Sequence, residues 1–525
     1  MLNLIRMYHL TVRPLVKAFS LMPSRFALVV SAALALALVL PLNASAAPKL
    51  REVAHVEYQG MQKIRYRYGP ITITPGQNVI RFNGTDLKPK VPGFITRFKP
   101  DFVRVKDNKP PPVDVLHLHH GVWLINRHDG QGLAPSFAAG EEKTIVQLPR
   151  GFGYAYKPSD TWTINDMLHN LLPTPDSVYV TWEIDFVPAT SPAAATLKPA
   201  SMQWMDVAGL KAYPVFNAKR AFGRGGKYTF PDQARGAQRT DIGFARRWTV
   251  PSDLTLVQTA GHLHPGGLYS DLKVTRGGVT KPLFRSEAEY FEPAGAVSWD
   301  VSMTATPASW RVRLKQGDVL SVSATYDTSK ASWYEVMGIM VLAVSRDPGA
   351  GGTDPFVGTI ATRGTPTHGH LKENDNHGGD VLGLPDARTL LAGPSLSGPL
   401  NITNFTYTRG DLGLVGSNGR PPTVKAGQSL TFRNIDAKKE IWHTITSCRA
   451  PCNASSGVAY PLANGPVDFD SAELGFYQIP GGRHIGGPPA SGTDTWKTPS
   501  NLKPGTYNYF CRIHPFMRGA FRVKN

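Results

Sequence analysis

Thr506-Tyr-Asn-Tyr-Phe-Cys-Arg-Ile-His-Pro-Phe-Met-Arg-Gly-Ala-Phe-Arg-Val-Lys-Asn525 closes the chain. Two strand-like runs in this stretch flank a tight loop that carries a thiolate donor at Cys511, an imidazole at His514 and a thioether at Met517, each three residues from the next. A soft S/N/S set of this kind suits copper that cycles between Cu(I) and Cu(II). An electron-transfer site also needs a second imidazole from elsewhere, and His443, in Glu440-Ile-Trp-His-Thr-Ile-Thr446, is the candidate. Together the four donors make a His2Cys set with a weak axial Met. Gln428-Ser-Leu-Thr-Phe-Arg433 alternates as a half-buried strand does, and Lys503-Pro-Gly is a turn into the next. Residues 401–525 therefore read as a compact β-domain.

Cys511-Arg-Ile-His-Pro-Phe-Met-Arg-Gly519 resembles the cupredoxins, the blue copper proteins, and in particular the amicyanin loop; the domain is also similar to plastocyanin. The resemblance covers the C-terminal domain and implies a Greek-key β-sandwich holding type 1 copper on His443, Cys511, His514 and Met517. Cys511 is flanked by Phe510 and Arg512, without the His-Cys-His run of multicopper oxidases, so a mononuclear site is expected.

The whole chain reads as all-β. Its 525 residues suffice for about two to four domains. Gly (51) and Pro (44) are abundant and charged residues make only 18%, which favours short strands and many turns. Runs such as Val178-Tyr-Val-Thr-Trp182 and Val319-Leu-Ser-Val-Ser-Ala-Thr-Tyr326 fill residues 48–345 and suggest two antiparallel, jelly-roll-like β-sandwiches, divided near 185–205. The expected order is a signal peptide (1–46), two β-sandwich domains (47–195 and 196–347), a Gly/Pro/His-containing linker (348–400) and the C-terminal domain (401–525).

Arg6, Arg13, Lys17 and Arg25 precede an apolar run, Phe26 to Leu42, and Ala44-Ser45-Ala46 follows as a small-x-small cleavage pattern. A secretory signal cleaved before Ala47 and an uncleaved anchor are the two readings; the run of about 17 residues is short for a bilayer span. The mature chain is expected outside the cytoplasm, in a periplasm or at a cell surface, with no stable membrane insertion. Net charge is +18, which reads either as attraction to an anionic partner or as scattered solvated charge. No basic block with interleaved aromatics appears, which argues against nucleic acid. Cys448 and Cys452 form a C-x3-C pair, open to a small loop disulfide or to two free thiols.

Two histidine clusters stand out: Val115-Leu-His-Leu-His-His-Gly-Val-Trp123 and Thr259-Ala-Gly-His-Leu-His-Pro-Gly-Gly267. Regular strand alternation puts His117 and His119 on one face and His120 on the other, and puts His262 and His264 on a common face. With Leu148-Pro-Arg-Gly-Phe-Gly153, Met167-Leu-His-Asn170 and Trp333-Tyr-Glu-Val-Met-Gly-Ile-Met340, residues 55–345 remotely resemble the copper type II, ascorbate-dependent monooxygenases, the family of peptidylglycine and dopamine hydroxylating enzymes. The resemblance implies one copper in each of two sandwiches. His119, His120 and His169 would hold the electron-accepting copper, with His117 a substitute in that set. His262, His264 and Met337 would hold the O2-binding copper. Ala260 stands where the peptide-amidating enzymes have Arg, Ile339 and Val341 replace their Asn and Tyr, and residues 1–447 contain no cysteine; peptide amidation is not expected. His368, His370 and His377, with Glu373 and Asp375, make a third set in the linker, read either as a metal site or domain bridge or as incidental polar residues.

The expectation is an exported copper redox protein. Its type 1 domain would take electrons from a donor protein or small reductant and feed a monooxygenase module acting on a small molecule. The alternative is a copper-binding electron-transfer protein without oxygenase chemistry.

Overall fold

The structure, a computed structural model, describes residues 51–525 apart from 76–79, 129–131, 210–213, 221, 235–245, 294, 376–383, 440, 453–461, 463–464, 480–482 and 486–490. The expected signal segment, 1–46, and His377 lie outside the described residues. Those described are β-strands, turns and four short 3-10 turns, at Pro192–Thr196, Pro348–Ala350, Lys372–Asn374 and Ile435–Lys439. The chain is all-β, and no described helix is long and apolar enough to cross a membrane.

Alternation in the sequence explains the first pair of layers. In Thr161–Asn170, Trp162 and Ile164 are buried on one face while Thr161 is exposed and Thr163 half-buried. This strand lies in a four-stranded sheet between Ile80–Thr85 and Leu116–Asn126, with Leu133–Ala139 at the edge. Against it packs a sheet of Gln62–Ile73, Asp176–Pro188, Gly93–Arg104 and Phe152–Tyr156. Aromatics from both sheets share one core: Phe98 stacks on Phe137 at 4.4 Å and meets the edge of Trp123 at 4.7 Å.

The strand ladder does not stop between 195 and 196. Lys198–Asp206 runs parallel to Phe152–Tyr156 and antiparallel to Gly338–Ser345, which pairs in turn with Leu254–Leu263. One hydrogen-bonded ladder thus connects the first layers to the strands of the second half, which continue through Val301–Ala305, Val279–Tyr290, Gly267–Arg276 and Val319–Asp327. A second core gathers Leu256, Leu272, Phe284, Trp310, Leu320, Tyr326 and Leu342.

Near the C-terminus two four-stranded sheets face each other. Thr406–Tyr407, Leu400–Thr403, Thr431–Asn434 and Thr495–Lys497 make one, and Thr423–Lys425, Arg518–Lys524, Gly505–Phe510 and Thr446–Cys448 the other. Ile402, Tyr407, Phe432, Tyr509 and Phe521 fill the space between. Each sheet contains one parallel pair, Leu400–Thr403 with Thr431–Asn434 and Thr423–Lys425 with Arg518–Lys524. Cys448 and Cys452 are joined as a disulfide, their Cα atoms 5.7 Å apart. Cys452, Leu462, Val467 and Phe510 enter the core of the second half.

The Gly/Pro stretch after Ser345 is more closely held than its composition suggests. Thr365–Pro366 pairs with Val301–Ala305, Asn374 accepts the Val113 N–H at 3.1 Å, and Glu373 stands 3.5 Å from Lys143.

Candidate metal centres

Cys511 leaves the Gly505–Phe510 strand and the chain turns back at once. Its N–H donates to Met517 O at 3.2 Å, and the Met517 N–H donates to His514 O at 2.8 Å. This six-residue excursion brings His514 Nδ1 to 3.5 Å from Cys511 Sγ. His443 lies just before Thr446–Cys448, the strand that pairs with Gly505–Phe510, and bridges to Leu474. Its Nδ1 lies 3.1 Å from His514 Nδ1 and 3.9 Å from the sulfur. Met517 is buried in the same apolar cluster as Cys511. The Thr444 N–H donates to Sγ at 3.3 Å, and the Phe405 ring edge lies against His514 at 4.9 Å.

This arrangement fits a bound cation. Among the described residues, His443, Cys511 and His514 are the one set of three whose donor atoms all lie within 4.8 Å of each other. Two Nδ1 atoms that face each other share at most one proton, and both imidazoles are held neutral. Burial pushes His443 down to about 3. It also drives His514 well below the usual histidine range. Burial pushes the Cys511 thiol up to about 11, and a metal cation reverses that balance by favouring the thiolate.

His169 belongs to the second cluster. It sits directly opposite His117 across the Leu116–Asn126 ladder, rings 4.5 Å apart. The alternation expected from the sequence fails one residue later. Leu118 pairs with Leu168 and His120 with Met167, which leaves His119 as a β-bulge. Before the bulge Leu116 and Leu118 face the core; after it Trp123 and Ile125 do. His120, Val122 and Leu124 therefore turn to the same side as His117. All three histidines point away from the first core, not two against one.

The rings of His119 and His169 are 4.7 Å apart, as are those of His119 and His264, while His262 and His264 are at 5.2 Å. Trp299 walls the group, 5.4 Å from His117 and 5.0 Å from His264. His120 turns its Nε2 to Asn165 at 2.9 Å. The two histidine groups expected from the sequence thus abut through His119 and His264. Burial pushes His120 to about 4 and His169 to about 3, so these imidazoles are neutral. Both ring nitrogens of His117, Nδ1 of His119 and His120, and Nε2 of His262 and His264 are buried without a hydrogen-bond partner. Unpaired buried polar atoms cost ~1–3 kcal/mol each, and a cation that accepted these lone pairs would remove much of that cost.

Between the four-stranded sheet and the Gly338–Ser345 and Leu254–Leu263 strands lies a cavity of about 60 Å³. Val122, Leu124, Trp204, Ile339 and Val341 make its walls apolar, and His120, His262, Met337 and Glu142 meet at it. Tyr326 ties Met337 to His264: its hydroxyl donates to Met337 O at 2.6 Å and accepts the His264 N–H at 2.9 Å. Glu142, Asn165 and Trp299 were not singled out from the sequence. In the linker, His368 Nε2 donates to Glu142 O at 2.6 Å, and His370 lies between Asp300 at 3.1 Å and Asp375 at 2.9 Å.

No protein-family profile matches this chain, and no curated protein matches it. Solved structures overlap it loosely, among them these three. PNGase F, a glycosylasparaginase from Flavobacterium meningosepticum, is 9% identical, with 54% of this chain and 96% of that one covered, at a TM-score of 0.28. The Cu-containing nitrite reductase of Thermus scotoductus SA-01 is 12% identical over 52% of this chain and 58% of that one, at a TM-score of 0.14. The Broad Bean Stain Virus structure is 10% identical over 62% and 99%, at 0.22. These overlaps are too loose to carry an activity to this chain, whose chemistry rests on its own donor geometry.

Proposed function

We propose that the protein is a copper redox protein exported from the cytoplasm, with a one-electron centre at His443, Cys511, His514 and Met517 serving an oxygenase module in residues 47–347. The observation that carries the reading is the convergence of two buried Nδ1 atoms and one buried sulfur. Bound copper would supply one-electron transfer at the Cys511 set and activation of O2 for C–H hydroxylation at the histidine sets.

The chain's own residues do the rest. His443 and His514 keep their lone pairs free because burial keeps them unprotonated. The sandwich holds the donors fixed, which keeps reorganisation small between oxidation states. Arg512, next to Cys511, donates to Ser332 O in the second half of the chain, so electrons would pass between the two groups within one chain. In the cavity, Val122, Leu124, Trp204, Ile339 and Val341 would hold a small apolar substrate and exclude water. Electrons would come from a donor protein or a small reductant.

Adding Cu(II) to metal-free protein tests the first part. An intense visible thiolate-to-metal band in wild type, absent from Cys511→Ser, supports it; no band in wild type overturns it. The oxygenase part is tested by substrate-dependent O2 uptake, which Met337→Ala should abolish. A second reading, electron transfer without oxygenase chemistry, is favoured by one observation: among the described residues the histidine donors do not converge as a set of three, whereas those around Cys511 do. Copper taken up by the Cys511 set alone would establish it.

A further inference from the structure

Glu141-Glu-Lys143 puts three charged residues in a row. In the structure these residues are 2%, 0% and 5% exposed. The turn is pinned from three directions. Glu141 Oε2 accepts the Leu118 N–H at 2.6 Å, beside the histidine bulge. Lys143 Nζ lies 3.0 Å from Asp101 and 3.4 Å from Glu141. The linker reaches in through His368, whose Nε2–H meets the Glu142 carbonyl.

Glu142 itself points at the cavity. Its Oε1 accepts the Gly140 N–H at 2.9 Å and stands 2.9 Å from His262 Nδ1. Its Oε2 and His262 Nε2 are both buried without a partner. The turn has no room to spare. A Cβ on Gly140 would come within 2.6 Å of Glu142 Oε2, 2.7 Å of His262 Cε1 and 2.9 Å of His119 O.

An ionised carboxylate only accepts hydrogen bonds. Facing His262 Nδ1, it favours the tautomer with the hydrogen on Nδ1, which leaves the Nε2 lone pair free. Carboxylates that hold a ligating imidazole in this way orient it and raise its basicity. We propose that Glu142 is a positioning residue for His262: it fixes the Nδ1–H tautomer and presents Nε2 as a metal donor at the cavity that Met337 also lines. The metal half of this statement rests on the copper reading above; the tautomer half does not.

The test uses the full chain, metal-free and labelled with 15N-histidine. Long-range 15N–1H correlation spectra report which ring nitrogen carries hydrogen, and His262→Gln identifies the signals. The wild type should show His262 as one Nδ1–H tautomer. Glu142→Leu should lose that preference. Glu142→Gln keeps the shape and offers both an acceptor and a donor, so it should show a mixture even if Glu142→Leu folds poorly. Gly140→Ala should disturb the same signals. An Nε2–H tautomer in wild type, or an unchanged tautomer in both Glu142 variants, overturns the proposal.

A second arm titrates Cu(I) against a competing chelator. Affinity at the His262 set should fall by roughly 10–100-fold in Glu142→Leu, while the Cys511 set keeps its affinity and its visible band. Equal losses at both sets, or none at the His262 set, overturn the metal half. Wild type that takes copper at Cys511 alone removes the copper reading of His262, and the spectra then decide the tautomer half by themselves.

Discussion

Single residues around Cys511 do two jobs at once, and Arg512 is the clearest case. Its N–H donates to Thr444 Oγ1 at 2.8 Å, which keeps the Cys511 loop against the His443 segment. Its guanidinium reaches the other way: it donates to Ser332 O at 2.5 Å, pairs with Asp470, and lies 5.8 Å from the Trp333 ring and 5.5 Å from Tyr334. Arg512 and Asp470 are both buried, so removing one strands the other. Arg512→Ala should cost about 3–5 kcal/mol in urea unfolding of the metal-free protein. Arg512→Lys should recover little of it, since an ammonium cannot serve the planar fork. Glu141 gives a pH-dependent counterpart. Burial pushes its carboxyl from an ordinary 4.5 to about 8, against the opposing pull of Lys143 and the Leu118 N–H. A raised acid binds its proton more tightly in the folded state, so its contribution is full below about 4.5 and is lost as pH rises through about 8. Glu141→Gln removes that dependence. Unfolding measured across this window should show wild type falling relative to the variant by on the order of a few kcal/mol.

One bulge decides how the histidine strand works as an element. Because His119 is the unpaired residue, deleting it joins Leu118–Leu168 to His120–Met167 in regular register and leaves the core phase intact on both sides. Deleting Val122 instead inverts one half of the strand relative to the other and drives Trp123 or Leu118 out of the core. The His119 deletion should therefore keep a cooperative thermal transition and lose copper at the histidine sets, while the Val122 deletion should fail to fold. The same element shows where the sequence could be read and where it could not. Short alternating strands announced an all-β chain, because period-two burial is local information, and Cys511, His514 and Met517 announced themselves because they share one loop. His120 was expected on the face opposite His117, because a bulge is set by pairing with Thr161–Asn170 and leaves no mark in Leu116–Asn126 alone. Glu142 was missed because an acidic turn looks exposed until the linker and Lys143 are seen to cover it. For the same reason the Gly- and Pro-rich stretch read as a loose connector, although Thr365–Pro366 and Asn374 tie it down.

At the scale of the whole molecule, the C-terminal sandwich leans on the second half of the chain. Val467 N–H donates to Lys330 O at 3.0 Å, Arg220 reaches Val467 O, and Phe510 joins the core of the second half. The segment that receives Arg512, Ser332 to Tyr334, leads within three residues to Met337 at the cavity. The proposed function requires one chain to combine a thiolate-ligated copper with histidine-ligated copper, which copper analysis together with paramagnetic resonance on wild type and Cys511→Ser can decide. About three coppers per wild-type chain are expected. In the variant about two are expected, with the blue band gone and a non-blue paramagnetic signal remaining. A single copper in wild type, with none left after Cys511→Ser, would contradict the proposed function.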